Sequence, residues 1–273
     1  MMNALLKIGT SGYSFNDWIG EFYPKDIQKG KMLDFYVNHF NTVEINSTYY
    51  GIPNKQVFYH LNRKTPPDFE FIVKLHKTTT HLEVKDPTTT ESILESVSPI
   101  SDSGKLHGLL AQFPFSFRMT PINLEYIEKV QEYCHSIPLF VEFRHKSWDQ
   151  EPVYAFLKEH KIGYCCVDEP QLLNLLPPLA MATTETGYIR FHGRNQQTWW
   201  DSSRGDRYDY FYKENELNEW LGRLRELRRT TTKTYVFFNN CHQGSAVKNA
   251  KMLIEMLRKN NELLPSVSAI VNQ

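Results

Sequence analysis

Glu142 and Arg144 stand in the stretch 138–148, PLFVEFRHKSW, whose first half is an apolar run of β-branched and aromatic residues behind a proline. Such a run reads as a buried strand. Side chains two apart share one face of a strand, so a carboxylate and a guanidinium project together from its C-terminal end. Desolvating two charges is costly unless they pair. A paired cluster there is useful if it faces a cleft, and otherwise it is an ion pair that seals a barrel mouth.

Other predicted strands finish in the same way. Glu44, Lys74, Gln112, Glu142, Asp168, Arg190 and Asn239 each close an apolar run, and the N-terminal strand ends offer no comparable set. Singly, each could cap a turn or pair with a neighbour; together they read as a site. Three carboxylates (Glu44, Glu142, Asp168) meet Lys74, Arg144 and Arg190, with His145 and His192 able to add charge. That balance suits an anionic ligand gripped by guanidinium forks. Glu44 and Glu142 are the candidate general acid and base, because a carboxyl pair in unlike environments can hold unlike protonation states. His192 is a candidate proton shuttle near neutral pH. A register error of one residue would turn any of these side chains outward.

Glu44, Glu142, Asp168 and His192 could instead ligate a divalent cation and make a metal-dependent hydrolase. The adjacent lysine and arginines, and the lack of H-x-H or H-E-x-x-H spacing, weigh against that. No metal and no other cofactor is assigned. Cys241 lies beside His242, but nothing in the sequence marks its thiol as acidic. The stretch 194–208, RNQQTWWDSSRGDRY, interleaves tryptophan and tyrosine with arginine. Such rings stack on bases or sugars, close over a ligand as a lid, or pack on a rim.

Positioning these residues takes eight strands, at about 5–9, 42–46, 69–74, 108–113, 138–143, 162–168, 187–192 and 234–239. Helical patterns follow at 31–39, 55–64, 91–100, 121–135, 151–160, 214–229 and from Ser245, a candidate cap. The segment after the sixth strand, 172–180, is the weakest, being short and broken by Pro177-Pro178. Strand–helix alternation gives a parallel sheet, and eight units predict a single (β/α)8 TIM barrel over 1–273 with a long polar-aromatic loop at 193–212. An open doubly wound sheet is the runner-up, without a G-x-G-x-x-G or P-loop to support it. In such a barrel the site forms at the C-terminal strand ends.

A length of 273 residues with ordinary apolar content can bury one large core. A formal net charge of +0 excludes a global field that would recruit nucleic acid or an anionic membrane, so any preference is local. Four cysteines without C-x-x-C spacing suit a reducing compartment. With no signal-peptide pattern and no run of membrane-spanning length, the expectation is a cytoplasmic protein with no membrane contact. The oligomeric state is left open.

The motifs Gly9-Thr10-Ser11-Gly12-Tyr13, Val43-Glu44-Ile45-Asn46-Ser47-Thr48-Tyr49-Tyr50, Thr80-His81, Gln112-Phe113-Pro114, Val141-Glu142-Phe143-Arg144-His145 with Trp148, Arg190-Phe191-His192-Gly193-Arg194, and Phe238-Asn239-Asn240 with Ala246 and Asn249-Ala250 together resemble the YecE-like family (domain of unknown function 72). The likeness runs in order along essentially the whole chain. It implies a TIM barrel, bacterial or archaeal cytoplasmic proteins and no established activity. Cys241 departs from the acid the family often carries after the paired asparagines. The catalytic candidates are then Glu44, Glu142, Asp168 and His192. The substrate-binding candidates are Asn46, Tyr49, Lys74, His81, Gln112, Arg144, His145, Trp148, Arg190, Asn239 and Asn240. The expectation is a cofactor-free enzyme doing acid–base chemistry (hydrolysis, elimination or isomerisation) on an anionic small molecule or nucleic-acid component. The alternative is a nucleotide or nucleic-acid binding protein without turnover.

Overall fold

The computed structural model describes residues 4–82, 86–201, 206–260 and 262. The eight apolar runs form eight strands: β1 (Leu5–Thr10), β2 (Thr42–Ile45), β3 (Glu70–Lys74), β4 (Leu106–Gln112), β5 (Leu139–Glu142), β6 (Gly163–Asp168), β7 (Thr186–Phe191) and β8 (Lys233–Phe238). They are parallel, in the order β1-β8-β7-β6-β5-β4-β3-β2. The remaining seam is closed by a parallel bridge between Ser11 and Glu44, with the Gly12 N–H donating to the Glu44 carbonyl at 2.8 Å. The result is a (β/α)8 TIM barrel.

The helices of the outer ring are α1 (Met32–Tyr36), α2 (Lys55–Lys64), α3 (Lys77–Thr80), α4 (Thr89–Asp102), α5 (Pro121–Tyr133), α6 (Glu151–Glu159), α7 (Glu214–Thr230) and α8 (Ser245–Lys259). Two of them start as their sequences dictate. Asn54 accepts from the Gln56 N–H to cap α2, and Thr120 caps α5 with Pro121 in its first turn. Ser245, expected as a cap, is instead the first residue of α8, and Gly244 holds the cap position with φ 74°. The helix expected at 172–180 does not form; residues 169–185 make turns and extended chain. Pro170, Pro177 and Pro178 each remove a backbone donor from that short stretch. The helix expected at 31–39 is cut to the short α1.

Parity along the strands divides the barrel interior into layers. The waist is apolar, packed with Ile72, Leu110, Phe140, Cys165, Tyr188, Tyr235 and Phe237. Phe140 fills its middle because its neighbours on β4 and β6 are glycines. A Cβ at Gly108 or Gly163 would lie 2.5 Å or 2.3 Å from the Phe140 ring. Below the waist the structure corrects the expectation that the N-terminal strand ends carry no polar set. Glu70 there meets Lys7 Nζ at 3.1 Å and Lys233 Nζ at 3.0 Å and accepts the Tyr235 hydroxyl, with His107 3.9 Å away. Burial works against ionising Glu70, but the Tyr235 hydroxyl, Lys233 and Lys7 together hold its carboxyl below the usual value. Among the described residues, no helix is long and apolar enough to cross a membrane.

Candidate active site at the barrel mouth

Above the waist the inward positions become charged. On β5, Phe140 and Glu142 share the inner face, and Arg144 continues it past the strand end. Glu142 is fully buried. Its Oε1 meets Arg144 Nη2 at 2.6 Å, and its Oε2 meets Arg190 Nη1 at 2.6 Å. Arg190 reaches across to β2, where its Nη2 lies 2.7 Å from Glu44 Oε1; the other Glu44 oxygen accepts the Tyr188 hydroxyl. Arg144 also donates from Nη1 to Glu169 Oε2 at 2.9 Å. Two arginines and three glutamates thus form one chain of buried pairs.

The protonation states follow from this geometry. Burial alone would raise the Glu142 carboxyl, but Arg144, Arg190 and His192 outweigh it and hold it well below the usual carboxylate range. Glu142 is therefore held as a carboxylate by its guanidinium partners, which does not favour a general-acid role. His192 is pushed down to about 3, first by burial and then by Arg144, and so is a neutral imidazole rather than a shuttle near neutral pH. His192 Nε2 lies 3.1 Å from Arg144 Nη2 and 3.2 Å from Glu142 Oε1, and its Nδ1 lies 3.1 Å from Asn239 Nδ2. Glu169 goes the other way. Burial pushes it up to about 7, against the pull of Arg144 and with the help of the ionised Glu142.

These groups form a floor. Over it opens a cavity of ≈470 Å³, lined by Tyr49, Tyr50, Lys74, His81, Gln112, Pro114, Phe115, Arg144, Leu175, Trp199, Trp200, Arg207 and Tyr208. Of the candidate residues, Tyr49, Lys74, His81, Gln112 and Arg144 reach this cavity, while Glu44, Glu142, Arg190, His192 and Asn239 lie beneath it. Asn46 starts the turn Ser47–Tyr49, and its buried Oδ1 has no hydrogen-bond partner. The Lys74 amine donates to Gln112 Oε1 at 2.8 Å and sits 4.2 Å from the centre of the Tyr49 ring. Among the described residues no carboxylate lies within ion-pair distance of it. Burial, and then the nearby Arg190, push Lys74 down to about 7, with Glu142 and Glu44 only partly opposing the shift.

Four candidates face away from the cavity. Asp168 follows the inward Cys165 by three residues, so its side chain turns to the helical layer. There it accepts from Trp220 Nε1 at 2.6 Å, from the Tyr212 hydroxyl at 2.7 Å and from Arg194 Nε and Nη2 at 2.9 and 2.7 Å. Asn240, one residue past Asn239, donates to Asn249 and to the Tyr210 carbonyl. His145 accepts from the Ser147 N–H at 3.1 Å, behind the wall residue Phe115. Trp148 is fully buried, stacked 4.0 Å from Phe143, and donates to the Phe117 carbonyl. We expect Asp168→Asn to cost about 1–3 kcal/mol, because it leaves buried donors of Tyr212 and Trp220 poorly matched. Ligand affinity at the cavity should stay within twofold. Paired thermal melts and binding titrations check both halves.

The sequence reading missed Glu169, although the tandem Asp168-Glu169 at the end of β6 held the signal. One of two adjacent acids must face inward, and it is the second. The described parts of the loop, 194–201 and 206–208, bring Trp199, Trp200, Arg207 and Tyr208 to the mouth. Trp199 is buried, with the Arg144 guanidinium 5.5 Å from its ring centre, and the half-exposed Trp200 packs edge-on against Phe115 at 4.7 Å. Residues 202–205 of this loop, Arg204 included, lie outside the described residues.

Comparison with known proteins agrees with the fold. The family described as "Protein of unknown function DUF72" matches residues 7–270. The UPF0759 protein YunF of Bacillus subtilis (strain 168) is 32% identical over 93% of this chain and 95% of its own length. The UPF0759 protein YecE of Escherichia coli (strain K12) is 26% identical over 92% and 95%. Among solved structures, a DUF72 family protein from Thermotoga maritima MSB8 is 43% identical, with a TM-score of 0.85 over 93% of this chain and 99% of that one. Another from Enterococcus faecalis V583 is 27% identical, with a TM-score of 0.83 over 93% and 96%.

Proposed function

The chain belongs to the DUF72 family, whose name carries no activity, and from that premise we propose a reading drawn from the barrel mouth: an enzyme doing acid–base chemistry on an anionic small molecule or nucleic-acid component. The observation that carries it is Lys74. Its amine lines the cavity with no carboxylate partner among the described residues, while each carboxylate beneath is occupied by a guanidinium. A lysine pushed down to about 7 holds a useful share of free amine at neutral pH, which is what a general base requires. In this reading Lys74 takes the role first expected of Glu142. Glu142 and Glu44 instead keep Arg144 and Arg190 in place. Arg144 directs N–H groups at Glu142, Glu169 and His192 Nε2, leaving two of its five donors for an anion.

The carboxylates' engagement also disfavours the metal-dependent alternative, since a cation would have to displace a guanidinium from each. A nucleotide-binding protein without turnover is the second reading. It is favoured by Trp199, Trp200, Phe115 and Tyr208 around the mouth, whose faces suit a base.

A thermal-shift screen of carboxylates, sugar phosphates and nucleotides tests the first half. A ligand at 100 times its Kd should stabilise the protein by about 2.7 kcal/mol. Against a compound so found, Lys74→Met should lose roughly 10²–10⁴ in turnover with affinity kept. Arg144→Met should lose roughly 10–100-fold in affinity. A pure binder would show only the affinity loss, and no shift with any anion would sink the reading.

A further inference from the structure

Lys74 differs from a surface lysine in three respects. It projects from the end of β3 into the cavity at the mouth. Its nearest polar partner is the neutral Gln112, and an aromatic face covers it. The charges facing it from the other strands are Arg190 on β7, Arg144 beyond β5, and the Glu142 and Glu44 carboxylates that those arginines already occupy. A general base needs only to reach a proton. An amine beside an arginine that keeps donors open to the cavity can also reach a carbon.

Resting on the reading above, we infer that Lys74 is a covalent nucleophile: its amine forms an iminium with the carbonyl carbon of a 2-oxo acid whose carboxylate is held by Arg144. Both groups line the same cavity, and its rings at Tyr49, Trp199 and Trp200 suit an apolar or aromatic remainder of the substrate. The free amine of Lys74 adds its lone pair to the carbonyl carbon, and the C=O π electrons pass to oxygen, which takes a proton. The nitrogen sheds a proton as the carbinolamine forms. The carbinolamine hydroxyl takes a further proton, the one the ammonium had released to solvent, and the C–O bond breaks with loss of water as the nitrogen lone pair forms the C=N⁺ bond. Net, an ammonium and a ketone become a protonated iminium and one water, with charge conserved. The iminium is the electron sink for cleavage or proton loss at the adjacent carbon, which is the chemistry of activated lysines next to other cations. An ammonium with a carboxylate partner would be held protonated; among the described residues the Lys74 amine has none and bonds the neutral Gln112 instead. The downward shift of Lys74 points the same way.

Reductive trapping tests this on the intact chain. The protein is incubated with pyruvate or phenylpyruvate and cyanoborohydride at pH 7, digested, and mapped by mass spectrometry. The expected result is a carboxyethyl group (or its benzyl homologue) on Lys74, formed roughly 10²-fold faster than on the other lysines. That rate should fall as the pH drops from 8 to 6 and the amine protonates. The same sample without reductant is followed by tryptophan emission, using Trp200→Phe to identify the cavity signal. Saturable quenching with no preference for Lys74 would overturn the nucleophile and leave the anion-binding cavity standing. No quenching and no labelling would overturn both.

Discussion

Arg190→Met is expected to cost about 3–5 kcal/mol of stability, the largest loss from any single substitution at the mouth. Arg190 is fully buried and lies between Glu142 Oε2 at 2.6 Å and Glu44 Oε1 at 2.7 Å. Methionine keeps most of the volume and removes the charge, leaving two carboxylates facing each other above an apolar waist. At about 2–4 °C per kcal/mol for a chain of this size, the melting temperature should fall by roughly 10 °C. The pH dependence gives the mechanism. Without the guanidinium, the folded state raises the pKa of at least one carboxylate above its unfolded value. Between those two values the folded state then binds more protons than the unfolded one, so stability falls as pH rises. The variant should therefore be closest to wild type near pH 5 and furthest from it near pH 8. A loss that does not change with pH would mean that packing, not charge, is what Arg190 supplies.

Lys74→Met should have the opposite sign. With its folded pKa near 7 and its unfolded value at 10.5, Lys74 favours the unfolded chain wherever the lysine is charged. Below about pH 7 both states bind the proton and the full penalty applies. From pH 7 to 10.5 the unfolded state binds more protons, so wild-type stability rises with pH. Above 10.5 the difference vanishes. Replacement by methionine removes a penalty of roughly 2–4 kcal/mol and leaves Gln112 Oε1 without its donor, which costs about 1 kcal/mol. The net expectation is a gain of about 1–3 kcal/mol at pH 6–7 that fades towards pH 10. Urea denaturation at three pH values measures it. A lysine kept for stability would instead lose stability when replaced. A gain marks a residue retained at a thermodynamic cost for what it does.

The barrel was legible because alternating apolar runs and helical patterns repeat through the chain, and because Glu142 and Arg144 obey the two-residue period of a strand. Legibility failed where two polar residues are adjacent. At Asp168-Glu169 and Asn239-Asn240, composition offers two candidates for one inward position, and only the pairing register chooses between them. The first pair went to the wrong member. His145 and Trp148 were drawn in by closeness along the chain, although the turn after β5 carries both behind the wall. The polar set below the waist was missed because Lys7, Glu70, His107 and Lys233 look like the ordinary charged flanks of loops. The helix expected at 172–180 yielded to its prolines. The protonation states were out of reach, since they depend on how many guanidiniums surround one carboxylate, which no spacing encodes.

The lower end of the barrel has a kinetic corollary. Glu70, with Lys7, Lys233 and Tyr235 upon it, and the Phe140 layer above pack the axis below the mouth. Among the described residues lining the mouth, Tyr50 and Trp200 are the ones most open to solvent on its rim. On the proposed function, a product formed over Arg144 occupies the same cavity that the next substrate must enter. Any product that keeps the anionic group should then compete directly with fresh substrate, raising the apparent KM and leaving the limiting rate unchanged.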